Sequence, residues 1–193
     1  MGVWSRRLFL NALIAVGISL IPRSLRAQAG SFLTLDEAPH AVFPEGTTVE
    51  QQHVPSTPQL REAIMADLGP IKPSLWEPDY VLFTVHRDGN LLGYAVVVEE
   101  IGKHRPITFV VGVRPEGAVQ DVALMVYREP YGGEVRAPRF LAQYRGKNRT
   151  APLLPFRDIR NITGATLSTE AIGRGVRKAL ALLHALTLTG GKP

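Results

Sequence analysis

The chain has 193 residues, of which 45% are hydrophobic and 20% charged, and its formal net charge is +5. It contains no cysteine, which excludes disulfide bonds, thiolate metal sites and thiol nucleophiles. Four of the 22 basic residues and none of the 17 acidic residues lie within residues 1–29, so the remainder is almost neutral. Overall charge therefore gives no support for nucleic-acid binding, and no nucleic-acid partner is predicted.

The first 29 residues have the pattern of an export signal. Arg6 and Arg7 precede a short apolar run at 12–21, and an Ala-Gln-Ala sequence follows at 27–29. Such a pattern is typical of a cleaved signal peptide, and the run is too short for an ordinary membrane span. The sequence Ser-Arg-Arg-Leu-Phe-Leu resembles the twin-arginine export signal. We predict a periplasmic protein cleaved after about Ala29; an ordinary export signal and an uncleaved membrane anchor are the alternatives.

Residues 30–75 contain two helix patterns. Thr34 has capping-box spacing to Glu37, which predicts a short helix after it. A second helix is predicted between Thr57, which suits the N-cap, and Gly69, which suits the C-terminal end. We therefore predict that these residues form a helical extension at the N-terminus of the mature protein.

The next part of the chain predicts a β-sheet. Four apolar or alternating stretches are separated by short turns, at 79–86, 91–100, 106–113 and 118–127. Asp88 and Gly89 form a typical hairpin turn between the first two. Short connections favour antiparallel pairing, and the continuous apolar character of the second and third strands indicates cover on both faces.

Helices are predicted again after the sheet. A glycine-containing loop at 129–134 is followed by a short helix from Pro138 and a long helix from about Leu167 to Leu188. Arg174, Arg177 and Lys178 lie off the apolar stripe of the long helix, and Glu100 is expected at a strand end or on a solvated face. The predicted fold is α+β, with a twisted antiparallel sheet of about four strands, flanking helices and a long C-terminal helix. The domain with this fold is predicted to occupy residues 76–193.

The long helix begins in the sequence Asn-Ile-Thr-Gly-Ala-Thr-Leu-Ser-Thr at 161–169. The first amides of a helix have no partner within it, and the helix dipole makes that end positive, so a phosphate group fits there. Gly164 would let the backbone approach an anion closely. Two interpretations stay open on these features: a phosphate site, and simple capping of the helix by Thr166 or Ser168.

Residues 162–169 resemble the S/T-G-A-T motif of FMN-binding domains. That family includes the flavin-carrying subunits of the sodium-pumping NADH:quinone reductase and of the Rnf electron-transport complex. Upstream, a Gly-Tyr strand, a Pro-Ile strand, a Glu-containing glycine loop and a Phe-x-x-Gln-x-x-Gly helix occur in the family's order. The resemblance spans roughly residues 80–188. It implies FMN as the cofactor and a phosphodiester bond to Thr166, the final threonine of the motif.

The resemblance implies a cofactor site made from two segments. The helix start contributes seven candidate residues, which are Thr163, Gly164, Ala165, Thr166, Leu167, Ser168 and Thr169. The loop contributes Glu129, Tyr131 and Gly132, with Tyr131 flanking the flavin ring. No catalytic residue is predicted, because the flavin carries the redox chemistry. No metal ligand is predicted, because His86, His104 and His184 are scattered without an i, i+4 pair.

This chain departs from the family's pattern at two places. Members with covalent FMN usually have aspartate six residues before the acceptor threonine, where this chain has Arg160; Asp158 lies two residues earlier. Covalent attachment is therefore left open, and a pairing of Arg160 with the phosphate is one hypothesis. The loop reads Glu-Pro-Tyr-Gly-Gly-Glu at 129–134, where relatives read Glu-Thr-Pro-Gly-Leu-Gly.

The predicted function is that of an exported flavoprotein that relays electrons. Its predicted partners are a membrane-bound redox protein, with a haem protein as one candidate, and a flavin transferase that attaches FMN outside the cytoplasm. An electron carrier is favoured over an independent enzyme because no nicotinamide-binding fingerprint is present. The alternative is a flavin-free adaptor or solute-binding module of the same fold, which Arg160 keeps open.

Overall fold

The computed structural model describes residues 30–188, which form one antiparallel sheet with helices on both faces. The export signal predicted at 1–29 lies outside the described residues. The sheet has the strand order β1-β6-β5-β4-β3-β2. Its strands are β1 (Gly30–Ser31), β2 (Thr48–Pro55), β3 (Asp79–Arg87), β4 (Asn90–Ile101), β5 (Pro106–Val113) and β6 (Val119–Tyr127).

The prediction of about four strands is wrong, because the sheet has six. The additional strands, β1 and β2, come from residues 30–75, which are therefore not a purely helical extension. β1 is two residues long, and β2 reads Thr-Val-Glu-Gln-Gln-His-Val-Pro, with mainly polar side chains. Both are edge strands of the described sheet, so neither needs the apolar alternation by which a buried strand is recognised in a sequence.

The central meander agrees with its prediction. Strands β3 to β6 begin and end within one residue of the four predicted stretches, and each pairs with its neighbour in sequence. The turn between β3 and β4 has φ angles of 51° at Asp88 and 78° at Gly89. Positive values at both positions are those of the type I′ turn that suits a two-residue hairpin.

Three of the four α-helices in residues 30–188 begin within one residue of their predicted starts, whereas the first begins at Ala38, four residues after the predicted cap Thr34. They are α1 (Ala38–Val42), α2 (Pro58–Leu68), α3 (Pro138–Leu141) and α4 (Thr166–Leu188), with 3₁₀ turns at Gly133–Arg136 and Ala142–Tyr144. Thr57 caps α2 by accepting the Leu60 amide at 3.2 Å, and Gly69 ends it with a φ of 62°. Within residues 30–188, no helix has both the length and the apolar character needed to cross a membrane.

The two faces of the sheet pack against different helices. α4 and α2 cover one face, and the apolar stripe predicted for α4 is buried there at Ile172, Val176, Leu180 and Leu183. The shorter α1 covers the other face with Val42 and the following Phe43. The cover on both faces explains why β4 and β5 are apolar at successive positions.

A buried ionic cluster interrupts the larger core. Lys178 of α4 and Glu100 of β4 are both fully buried, although the sequence places them off the apolar stripe and at a strand end. Lys178 Nζ lies 3.0 Å from Glu100 and 2.9 Å from Glu77, and Arg174 Nε lies 3.0 Å from Glu100. The cluster therefore joins α4, the end of β4 and the segment that precedes β3.

Candidate functional site

The start of α4 borders a cleft of about 360 Å³, which we call the α4 cleft. Three segments line it: the turn between β4 and β5 at 103–104, the loop after β6 at 129–131, and the helix start at 164–168. Its volume falls within the range of about 300–1,000 Å³ that is usual for small-molecule sites. The fold thus brings together segments that are about 25 to 60 residues apart in the sequence.

The first amides of α4 are free of partners within the helix. The first α-helical hydrogen bond runs from the Thr169 amide to the Ala165 carbonyl, at 2.9 Å. The amides of Thr166, Leu167 and Ser168 therefore precede the helical ladder. Since Ala165 has no side-chain acceptor to cap them, and the helix dipole is positive at this end, these amides suit an anion.

The hydroxyls at the helix start are engaged elsewhere. Thr166 Oγ1 accepts a hydrogen bond from Asn161 Nδ2 at 2.8 Å. Tyr127 Oη donates to the Tyr131 carbonyl at 2.5 Å, so it accepts from Ser168 Oγ, which lies 3.0 Å away. The capping interpretation of Thr166 and Ser168 therefore loses its support, and Ser168 instead ties α4 to the loop after β6.

Two glycines shape the place where the loop meets the helix start. Gly132 has a φ of 79°, and a Cβ there would lie 2.9 Å from Tyr127 Oη and 3.1 Å from Ala165 Cβ. Gly164 has a φ of 82°, and a Cβ there would meet no atom within 4 Å. Gly132 is therefore needed for close packing of the loop, whereas Gly164 leaves open space beside the free amides.

Glu129 fixes the turn that forms one wall of the cleft. Its carboxylate is 7% exposed and accepts the amides of His104 at 2.5 Å and Arg105 at 2.9 Å. Burial alone would raise the pKa of Glu129, but the backbone hydrogen bonds outweigh it and hold the pKa below its ordinary value. Glu129 thereby holds the side chains of Lys103 and His104 at the cleft.

Replacing Glu129 with glutamine should destabilise the protein by about 1–2 kcal/mol at pH 7, because charge-assisted hydrogen bonds to backbone amides become neutral ones. A carboxyl with a depressed folded pKa stabilises the fold above its unfolded pKa and loses this contribution as the pH falls through its folded pKa. The variant should therefore lose less stability than the wild type between about pH 5 and pH 3. Urea unfolding across this range measures the difference, with the exposed Glu134→Gln as control. Parallel pH profiles for Glu129→Gln and wild type would contradict this assignment.

The predicted site residues fall into two groups. The α4 cleft brings together Glu129, Tyr131, Gly164, Ala165, Thr166, Leu167 and Ser168. Thr169 is fully buried and its hydroxyl lies 3.1 Å from the Ala165 carbonyl, so it belongs to the helix interior. Gly132 packs behind the cleft, and the exposed Thr163 does not line it.

Sequence reasoning missed three residues at or beside the cleft. Lys103 and His104 line it from a turn, and the only sequence signal for them is a Lys-His pair shortly after a strand. Asn161 does not line the cleft but donates to the hydroxyl of Thr166, and it is the first residue of the motif stretch at 161–169. Lys103 adds a positive charge to a site where the helix start already favours an anion.

Neither Arg160 nor Asp158 lines the α4 cleft. Arg160 is exposed and lines a second cleft of about 740 Å³, and its amide donates to Gln143 Oε1 at 2.7 Å. Asp158 is paired with Lys147 at 2.9 Å and accepts the Leu154 amide at 3.0 Å. Burial would raise the pKa of Asp158, but these hydrogen bonds lower it below its ordinary value. The structure thus gives no support to a phosphate contact by Arg160 or to Asp158 as a substitute.

The region that contains this cleft matches a known protein family. Residues 102–181 match the FMN-binding domain family. The match begins at the turn between β4 and β5, and it ends within α4. It confirms the prediction of FMN as the cofactor.

Two relatives extend the FMN-binding-domain match. The chain is 27% identical over 117 residues to one component of a proton-translocating ferredoxin:NAD⁺ oxidoreductase complex from Clostridium ljungdahlii. That alignment covers 57% of this chain and 62% of the relative, so the chain spans less than two thirds of that protein. The fold resembles the crystal structure of NqrC from Shewanella oneidensis, with a TM-score of 0.54 and 16% identity, over 78% of this chain and 86% of that one.

Proposed function

We propose that this chain holds FMN in the α4 cleft and relays electrons to or from a membrane-bound redox protein after export. The observation that carries the proposal is the position of the cleft. The motif residues Gly164–Ser168 meet the loop at 129–131 there, within the segment that matches the FMN-binding domain. Bound FMN supplies the electron chemistry, because its ring system accepts and donates electrons.

The phosphate of FMN fits the start of α4. The free amides of Thr166, Leu167 and Ser168 lie at the positive end of a 23-residue helix. The open space beside Gly164 lets a phosphate approach them. Lys103, on the facing turn, adds a compensating positive charge. The phosphate site therefore needs no contact with Arg160.

The flavin ring fits the apolar rim of the same cleft. Tyr131 is 82% exposed and Leu167 is 46% exposed, and both line the cleft. Large apolar side chains without cover at a cleft are typical of a ligand surface. We propose that the ring packs on these two side chains, which would shield one of its faces from water.

We propose that FMN is attached covalently to Thr166. This residue lines the cleft, and its hydroxyl is beside the amides that would bind the phosphate. A threonine hydroxyl can replace a leaving group on a flavin nucleotide's phosphorus, which would make Thr166 an anchor with no part in electron transfer. A flavin transferase outside the cytoplasm would carry out this step, in keeping with the predicted export signal.

The membrane-bound partner is proposed from the relatives. The Clostridium ljungdahlii protein belongs to a proton-translocating ferredoxin:NAD⁺ oxidoreductase complex. A flavin domain tethered or bound to such a complex would pass electrons to another cofactor in it, with a haem as one candidate. The flavin-free adaptor stays the second candidate function, because Arg160 stands where covalent members of the family usually have aspartate.

A visible absorption spectrum of protein exported to the periplasm, in a strain with a flavin transferase, tests the proposal. We expect a yellow protein whose flavin absorbance stays with the polypeptide after denaturation in guanidinium. Flavin released by denaturation would leave FMN binding intact and overturn covalent attachment. A colourless protein even with excess FMN would overturn the proposed function and favour the adaptor. The same chain made in the cytoplasm with added FMN is the control for non-covalent binding.

A further inference from the structure

The carboxamide of Asn161 makes an unusual pair of contacts. Nδ2 donates to Thr166 Oγ1 at 2.8 Å, whereas Oδ1 is buried and has no hydrogen-bond partner among the described residues. Buried side-chain amides that serve the fold are normally satisfied at both ends. A half-turn of the amide would exchange the two atoms and again leave one of them without a partner. Asn161 is therefore oriented by its contact with Thr166.

We infer that Asn161 is a positioning residue for FMN attachment, which holds the Thr166 side chain in the rotamer that presents its oxygen to the α4 cleft. This inference rests on the proposed covalent attachment. Free threonine exchanges among staggered χ1 rotamers, and a hydrogen bond to Oγ1 selects one of them. Neither Arg160 nor Asp158 supplies this contact: the Arg160 amide donates to Gln143, and the Asp158 carboxylate is bound to Lys147.

The step that Asn161 assists is a phosphoryl-group substitution with flavin adenine dinucleotide as the donor. A bond forms between Thr166 Oγ1 and the phosphorus of the FMN half, and the bond from that phosphorus to the AMP oxygen breaks. AMP leaves, the hydroxyl proton passes to a base of the transferase or to water, and no oxidation state changes. Asn161 Nδ2 can donate to Oγ1 both before the reaction and after it, because the bridging ester oxygen still accepts a hydrogen bond.

The experiment measures the rate of FMN attachment by intact mass, using purified protein, a purified flavin transferase and flavin adenine dinucleotide. Asn161→Leu keeps the side-chain size and removes the hydrogen bond, so the initial rate should fall about tenfold. Asn161→Asp keeps a hydrogen bond to the Thr166 hydroxyl, and its rate should stay within about threefold of the wild type. Thr163→Ala, which removes an exposed hydroxyl that does not line the α4 cleft, is the matched control and should stay within about twofold.

Thermal unfolding of the same variants separates positioning from a structural role. All variants should unfold within about 4 °C of the wild type, because Asn161 is part-exposed and packs no core. Asn161→Leu attaching at the wild-type rate, or Asn161→Asp as slow as Asn161→Leu, would overturn the inference alone. A wild-type protein that gains no FMN mass would overturn covalent attachment and the inference together.

Discussion

Replacing Lys178 with methionine is expected to destabilise the fold by about 3–5 kcal/mol, because it leaves an uncompensated buried carboxylate. Lys178 is fully buried, and its ammonium group also donates to the carbonyls of Leu75 and Glu99, at 3.0 and 2.8 Å. Methionine matches the length of the side chain, so the loss reports the charge more than the packing.

Glu77 is the carboxylate that depends most on Lys178. Glu100 keeps Arg174 and the hydroxyl of Ser74, at 3.0 and 2.5 Å, after the substitution. Glu77 keeps one acceptor contact, from the Glu99 amide at 2.7 Å, and its Oε2 is buried without a hydrogen-bond partner among residues 30–188. The charge that remains unpaired in the variant is therefore that of Glu77.

Urea unfolding of a double-mutant cycle measures this dependence. Glu77→Gln in the Lys178→Met background should recover about 1–3 kcal/mol, because it removes the unpaired charge. Lys72→Met, at an exposed position, is the matched control and should change stability by less than about 0.5 kcal/mol. Additive effects at positions 77 and 178 would contradict the pairing.

The same cluster supports the α4 cleft. Arg174 donates to the Ile101 carbonyl at 2.9 Å, at the end of β4, and the turn that carries Lys103 and His104 follows directly. Lys178→Met should therefore also weaken FMN binding, although Lys178 does not line the cleft. Stability of the core and geometry of the site are coupled through the end of β4.

The central strands could be predicted because their chemistry is local. Apolar runs bounded by turn residues mark β3 to β6, and Asp88-Gly89 encodes a hairpin whose positive φ angles only a few residue types adopt readily. β2 could not be predicted in this way, because an edge strand gains its structure from pairing with β3 and buries few of its side chains.

The ionic cluster could not be predicted for a different reason. On a helix, Lys178 lies off the apolar stripe, and a lysine there is ordinarily solvated. Its burial depends on Glu77 and Glu100, which are 101 and 78 residues away, and no local pattern indicates that these three side chains meet. Pairing between distant charges is a property of the tertiary structure.

The candidate site was partly predictable because one half of it is a continuous motif. Residues 164–168 carry a helix start, a positive-φ glycine and a cluster of hydroxyls in one stretch, and each has a local physical meaning. Thr169 does not join the site, because its hydroxyl donates to the Ala165 carbonyl within the helix. The motif string does not indicate which hydroxyls are buried in this way. Lys103 and His104 reach the site because Glu129 accepts the amides of His104 and Arg105 and so fixes the turn that carries them.

Replacing Thr166 with alanine is expected to abolish covalent FMN while non-covalent FMN binding persists. The substitution removes the oxygen that would form the phosphodiester bond, but the amides of residues 166–168 and the positive end of α4 remain. Intact mass after export beside a flavin transferase measures attachment, and flavin fluorescence on a denaturing gel provides a second readout. Equilibrium dialysis of the same variant against FMN measures the non-covalent affinity.

Two matched variants decide whether the Thr166 hydroxyl is the attachment point. Thr166→Ser keeps the hydroxyl without the methyl group and should still gain the mass of one FMN, at a lower rate because serine is less restricted in χ1. Thr163→Ala removes an exposed hydroxyl that does not line the α4 cleft and should attach FMN as the wild type does. Covalent FMN on Thr166→Ala would move the attachment point to another residue. Loss of both covalent and non-covalent FMN in this variant would mean that the side chain, and not the free amides, holds the phosphate.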